Sequence, residues 1–140
     1  MTGALRQRLL YAALAVLFGL PGLVIGSAVA FMSLLMGLWT FGRGSLVSFT
    51  VVPLWGLAGI AGCAAWLWLS AGFLMQGQAG LWVRPVWWWM LLAGALASVP
   101  ALVLGLWWGF TRHPEGFGVL LMGPSMLVPA GMLWWLRRRG

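Results

Sequence analysis

The sequence has 140 residues, of which 63% are hydrophobic and 6% are charged, with a formal net charge of +7. A soluble domain carries about 25% charged residues, and so few charges cannot cover a globule whose surface is roughly 7,000 Å² by mass scaling. The composition therefore excludes a soluble enzyme, a disordered tail and a DNA-binding domain, and it indicates an integral membrane protein.

Charged residues divide the chain into four long apolar intervals. A helix that crosses the hydrocarbon core needs about 20 apolar residues, and each interval is long enough for one. We predict membrane spans at residues 9–38, 48–75, 86–110 and 117–136. The first span is too long for a straight crossing and contains Pro21, so we expect a kinked, tilted or protruding helix. Polar residues 76–80 predict the turn that ends the second span.

These spans predict an all-α integral membrane protein, a four-transmembrane-helix bundle with short loops and no soluble domain. Residues 1–140 then form a single membrane domain. With four spans, both termini and the loop at 76–85 lie on one side, which carries six arginines, whereas the loops at 41–47 and 111–116 carry two. The positive-inside rule places the arginine-rich side in the cytoplasm. The expected location is the bacterial inner membrane, with the N-terminus and C-terminus both cytoplasmic.

Small residues recur at every fourth position of two spans, and such a strip lets a second helix backbone approach closely. The predicted helix–helix or partner interface comprises Ala93, Ala97, Ala101, Gly105 and Gly109 in the third span and Gly22, Gly26 and Ala30 in the first. The sequence leaves open whether the partner helix belongs to this chain or to another protein.

Arg112, His113 and Glu115 form the one concentrated polar cluster, in a predicted outer loop. His113 could act as a base oriented by Glu115, and both could ligate a metal, but a metal site needs about three or four ligands. We interpret the cluster as a proline-bearing turn with a loose ion pair, or as a contact for an outside partner or lipid. No catalytic residue, cofactor site or metal site is predicted.

None of the four predicted spans contains Asp, Glu, Lys, Arg or His, although proton-coupled carriers and ion pumps generally keep such a group in the membrane. We therefore expect a non-enzymatic accessory, assembly or interaction subunit of a larger membrane protein complex. Its expected partners are the lipid bilayer and a larger integral membrane protein or a second copy, but no nucleic acid. The alternatives are a small transporter or channel acting as a homo-oligomer, and a membrane-embedded immunity or regulatory binder of another membrane protein.

Overall fold

The computed structural model describes residues 2–82, 84–121 and 124–140. All regular elements in these ranges are helical, which confirms the all-α expectation for this part of the chain, and no soluble domain is evident there. The α-helices are α1 (Gly3–Leu14), α2 (Leu20–Trp39), α3 (Leu46–Gln76), α4 (Pro85–Thr111) and α5 (Leu127–Arg139). A π-helical turn, Ala15–Gly19, joins α1 to α2. The described residues also include three 3₁₀ segments: Gly77–Leu81, Pro114–Leu121 and Pro124–Met126.

Helix α1, the π turn and α2 together form one continuous helix from Gly3 to Trp39. Its 37 residues extend about 55 Å, against about 30 Å for a hydrocarbon core. Pro21 has no N–H, and its ring crowds the carbonyl one turn earlier. The chain accommodates this proline with the preceding π turn, in which the Leu20 N–H donates to the Ala15 carbonyl. Such a single wide turn is the usual form of π-helix.

Helix α3 lies between α2 and α4 and packs along both of them. The predicted spans 48–75 and 86–110 fall within α3 and α4 respectively. Close packing of α2 against α3 depends on Gly56, since a Cβ there would lie 2.6 Å from the Ala30 carbonyl oxygen. Among the described residues, three helices are long and apolar enough to cross a membrane: Gly3–Trp39, Thr50–Leu81 and Pro85–Thr111.

The fourth predicted span, 117–136, is not one regular helix. The 3₁₀ segment Pro114–Leu121 and the final helical stretch from Pro124 to Arg139 are bent by 60° relative to each other. Residues 122 and 123 lie outside the described ranges. Glycines and prolines in this region disfavour a regular α-helix, because glycine is conformationally permissive and proline removes a backbone donor. The bent pair counts as a fourth crossing only if its two halves are taken together.

The buried core lies near the end of the molecule that holds both termini. It includes Tyr11, Leu69, Phe73, Leu133 and Leu136, all almost completely buried. The outer faces carry many exposed leucines, valines and tryptophans. A large apolar surface of this kind is rare on a soluble monomer and is compatible with a membrane environment.

Helix α1 and the C-terminal residue Gly140 both contact the turn between α3 and α4. The Arg8 side chain lies against Gly77, Gly140 lies against Gln78, and the Arg137 guanidinium stacks on Trp88. We call this the arginine-rich end. Its arginines are Arg6, Arg8, Arg84, Arg137, Arg138 and Arg139. Helix α4 begins at the arginine-rich end. Its 27 residues extend about 40 Å to the opposite end of the molecule, where Thr111 lies.

Candidate functional site

A groove runs between α2 and α4, over the surface of α3. It encloses a cavity of about 280 Å³, and we call it the central groove. Its floor is formed by α3 residues Gly59, Gly62, Cys63 and Trp66. Its walls are formed by Gly26, Val29 and Ala30 of α2 and by Ala97, Ala101 and Leu104 of α4. Met126, Leu127 and Ala130 line it from the C-terminal part of the chain.

The C-terminal part of the chain closes this groove only in part. The 3₁₀ segment Pro114–Leu121 packs mainly along α4 and also touches α2, and Val119 of this segment lines the groove. Helix α5 has only 13 residues, or about 20 Å, and packs near the arginine-rich end. The chain therefore fills the space between α2 and α4 only in part.

The structure brings together four of the eight small residues predicted as an interface. Gly26 and Ala30 of α2 face Ala97 and Ala101 of α4 across the central groove. The small faces of the first and third predicted spans thus converge on one apolar surface, which the sequence did not show.

The other four small residues lie outside this groove. Gly105 packs against Val119 and Leu120, and Gly109 packs against the Phe117 ring. Gly22 lies against Ser125 and Met126. Ala93 is half-buried on α4. For Gly22, Gly105 and Gly109, the neighbour is therefore another part of this same chain.

Two polar groups of the central groove are hydrogen-bonded within the bundle, whereas the buried Trp66 indole N–H on its floor has no hydrogen-bond partner among the described residues. The Trp55 indole N–H donates to the Ala97 carbonyl oxygen at 2.5 Å, and the Ser98 hydroxyl donates to the Ala95 carbonyl. Pro100 has no N–H for the Leu96 carbonyl four residues earlier, and the Trp55 bond goes to the carbonyl of the next residue, Ala97. The groove offers apolar contact surface, the Cys63 thiol and the unpartnered Trp66 indole N–H, but its lining includes no carboxylate or imidazole.

The cluster predicted in the outer loop lies on the turn that follows α4. Arg112, His113 and Glu115 are all exposed, and the described residues show no ion pair among them. The His113 N–H donates to the Trp108 carbonyl, and the His113 carbonyl accepts from the Gly116 N–H. Within the described ranges, no group of three or more His, Cys, Asp and Glu side chains could hold a metal ion.

Aromatic stacking at the arginine-rich end was not predicted from the sequence. The guanidinium groups of Arg138 and Arg139 lie over Trp134 and Trp135, four residues earlier on the same helix. This i, i+4 spacing could have revealed both pairs. The third pair, Arg137 over Trp88 at 4.6 Å, joins α5 to α4, and local spacing contains no signal for it.

No protein-family model, curated protein or solved structure matches this chain. The groove, the charges and the packing of the described residues are therefore the basis for inferring its function.

Proposed function

We propose that this protein is a non-enzymatic interaction subunit of a membrane complex, in which the central groove receives one transmembrane helix of a larger integral membrane protein. The supporting observation is the convergence of Gly26, Ala30, Ala97 and Ala101 on one apolar groove that the C-terminal part of the chain lines but does not fill. We further propose that the membrane is the bacterial inner membrane and that the arginine-rich end is cytoplasmic, since arginines favour that side.

The physics of helix association in lipid supports this choice of partner. Lipid tails are as apolar as leucine, so helices associate through close packing rather than through the hydrophobic effect. Glycine and alanine on facing walls let a third backbone come near, and the loss of side-chain entropy on binding is small at these residues. A groove with this lining therefore suits a helix better than it suits an ion or a polar metabolite.

A non-enzymatic role agrees with the chemistry of the groove. Catalysis and proton-coupled transport use ionisable groups at the reacting or transported centre, and the groove lining includes no Asp, Glu, His, Lys or Arg and only one thiol, Cys63. A homo-oligomeric transporter would need a polar pathway formed between copies. An immunity or regulatory binder would use the same helix-docking surface and would differ only in the identity of its partner.

Site-specific photo-crosslinking in native membranes tests the proposal. Leu104 and Val103 are adjacent on α4 and are 56% and 58% exposed, but only Leu104 lines the central groove. Benzoylphenylalanine in place of Leu104 is expected to capture one larger membrane protein in stoichiometric yield. The same probe in place of Val103 is the matched control and is expected to capture mainly lipid.

A substitution that fills the central groove tests whether the crosslinked partner binds there. Ala97→Leu adds bulk to the wall, whereas Ala64→Leu makes the same change at an exposed α3 position outside the groove. Crosslinking from position 104 should be lost with Ala97→Leu and retained with Ala64→Leu. Capture of only a second copy would favour the homo-oligomer, and equal capture from positions 103 and 104 would contradict groove docking.

A further inference from the structure

A second pocket lies at the arginine-rich end, remote from the central groove. It has a volume of about 370 Å³. Polar side chains of α1 and of the turn after α3 line it: Gln7, Arg8, Gln76 and Gln78. This polar lining distinguishes the pocket from the central groove, whose lining is mainly apolar.

Gly77 holds the Arg8 side chain in this pocket. Helix α3 ends at Gln76, and Gly77 turns the chain with a φ of +70°. Because Gly77 has no side chain, the guanidinium can lie directly over the turn, and a Cβ there would be only 2.5 Å from a terminal nitrogen of Arg8. Arg8 is half-buried as a result.

The Arg8 guanidinium has no acidic side chain to neutralise it. Glu115 is the only Asp or Glu in the sequence, and it follows α4, about 40 Å from this pocket by helix length. A half-buried charge without a counter-charge is costly. The pocket therefore combines a fixed cation with three glutamine amides, which can donate further hydrogen bonds to an anion.

We propose that this pocket binds the phosphate headgroup of an anionic membrane lipid. Arginine presents a planar fork of N–H donors that fits phosphate oxygens. Six of the eight arginines lie at this end, and three of them stack on tryptophans, as expected at a membrane–water boundary where lipid phosphates lie. This inference does not depend on the proposed partner helix.

Lipid titration of the full-length protein in nanodiscs tests the pocket. Phosphatidylglycerol is the probe, phosphatidylcholine is the zwitterionic comparison, and bound lipid is counted by native mass spectrometry. Arg8→Gln is compared with Arg6→Gln, which removes the same charge from an exposed position on the same helix outside the pocket. We expect about tenfold weaker phosphatidylglycerol binding for Arg8→Gln, as for loss of a charge-assisted hydrogen bond. Near wild-type binding is expected for Arg6→Gln.

A second variant keeps the test independent of any folding defect in Arg8→Gln. Gln76→Glu is nearly isosteric and adds a carboxylate to the pocket that Arg8 also lines, so it should displace phosphatidylglycerol without lowering the unfolding temperature in lipid-free detergent. Equal losses for Arg6→Gln and Arg8→Gln would overturn the pocket in favour of a diffuse charge effect. Unchanged binding in Gln76→Glu would also overturn it, and binding of inorganic phosphate as tight as that of the lipid would overturn the lipid assignment.

Discussion

Gly62 of α3 and Gly94 of α4 are in backbone contact, so that a Cβ on either residue would overlap the Cα of the other. The contact sets the separation of the two helices beneath the central groove. Gly94 is the neighbour of Ala93, but it was not part of the predicted small-residue strip. The closest approach of α4 to α3 is therefore at Gly94, one residue after Ala93, where the predicted strip begins.

Gly62→Ala and Gly94→Ala are each expected to destabilise the protein by about 1–3 kcal/mol, because the added methyl group overpacks a contact between two backbones. Thermal unfolding in detergent, followed by circular dichroism, measures this change. Gly131→Ala is the matched control, since a Cβ at that α5 position meets nothing within 4 Å. It should be neutral or slightly stabilising, and equal destabilisation by all three variants would contradict the contact.

Tyr11 and Ser70 share a buried hydrogen bond of 2.5 Å that joins α1 to α3. Tyr11→Phe should destabilise the protein by about 0.5–1.5 kcal/mol, which is the usual net contribution of such a bond. A double-mutant cycle with Ser70→Ala measures the coupling by thermal unfolding. If the two single changes are additive in the double mutant, the bond contributes nothing to stability. Tyr11 also packs edge-on against Phe73, and Phe preserves that ring contact.

Arg137→Gln should lower stability more than Arg138→Gln, although both remove one charge from the last turn of α5. The Arg137 guanidinium stacks on Trp88 of α4, whereas Arg138 stacks on Trp134 of its own helix. Loss of a cation–π contact costs about 0.5–2 kcal/mol, and only the Arg137 contact joins two helices. Unfolding temperatures of the two variants give the comparison, and an equal shift would indicate a charge effect alone.

Reporter fusions test the proposed orientation of the helices. At residue 140, a reporter that works only in the cytoplasm should be active and one that works only in the periplasm should be inactive. At Gly42, in the turn between α2 and α3, the opposite result is expected. The reason is the excess of arginine at the end that holds both termini. A periplasmic signal at residue 140 would overturn the cytoplasmic assignment of the arginine-rich end.

Much of the helical organisation could be predicted because its causes are local. Long apolar intervals between arginines favour helices, and α4 begins directly after Arg84 and ends directly before Arg112. The 3₁₀ segment Gly77–Leu81 begins within the predicted polar turn at 76–80. The π turn before Pro21 was not predicted, because kinking, tilting and local widening all accommodate a proline and the choice depends on neighbouring contacts.

The candidate sites depended on contacts that the sequence does not contain. Four-residue spacing identified Gly26, Ala30, Ala97 and Ala101, but it could not show that they face one another across α3. Gly105 and Gly109 belong to the same strip and instead contact the 3₁₀ segment that precedes residue 122. The Arg8 pocket likewise required α1 to lie against the end of α3, a contact between residues about 70 positions apart in sequence.

The sequence by itself determined that this chain is apolar and helical and that its charges lie at helix ends, because transfer free energy and backbone propensity act residue by residue. The tertiary structure alone decided that the two halves of the fourth segment run in different directions and which small faces line the central groove. Helix packing depends on the shape of two surfaces at once, so the backbone contact of Gly62 with Gly94 and the open groove beside it follow from the assembled bundle.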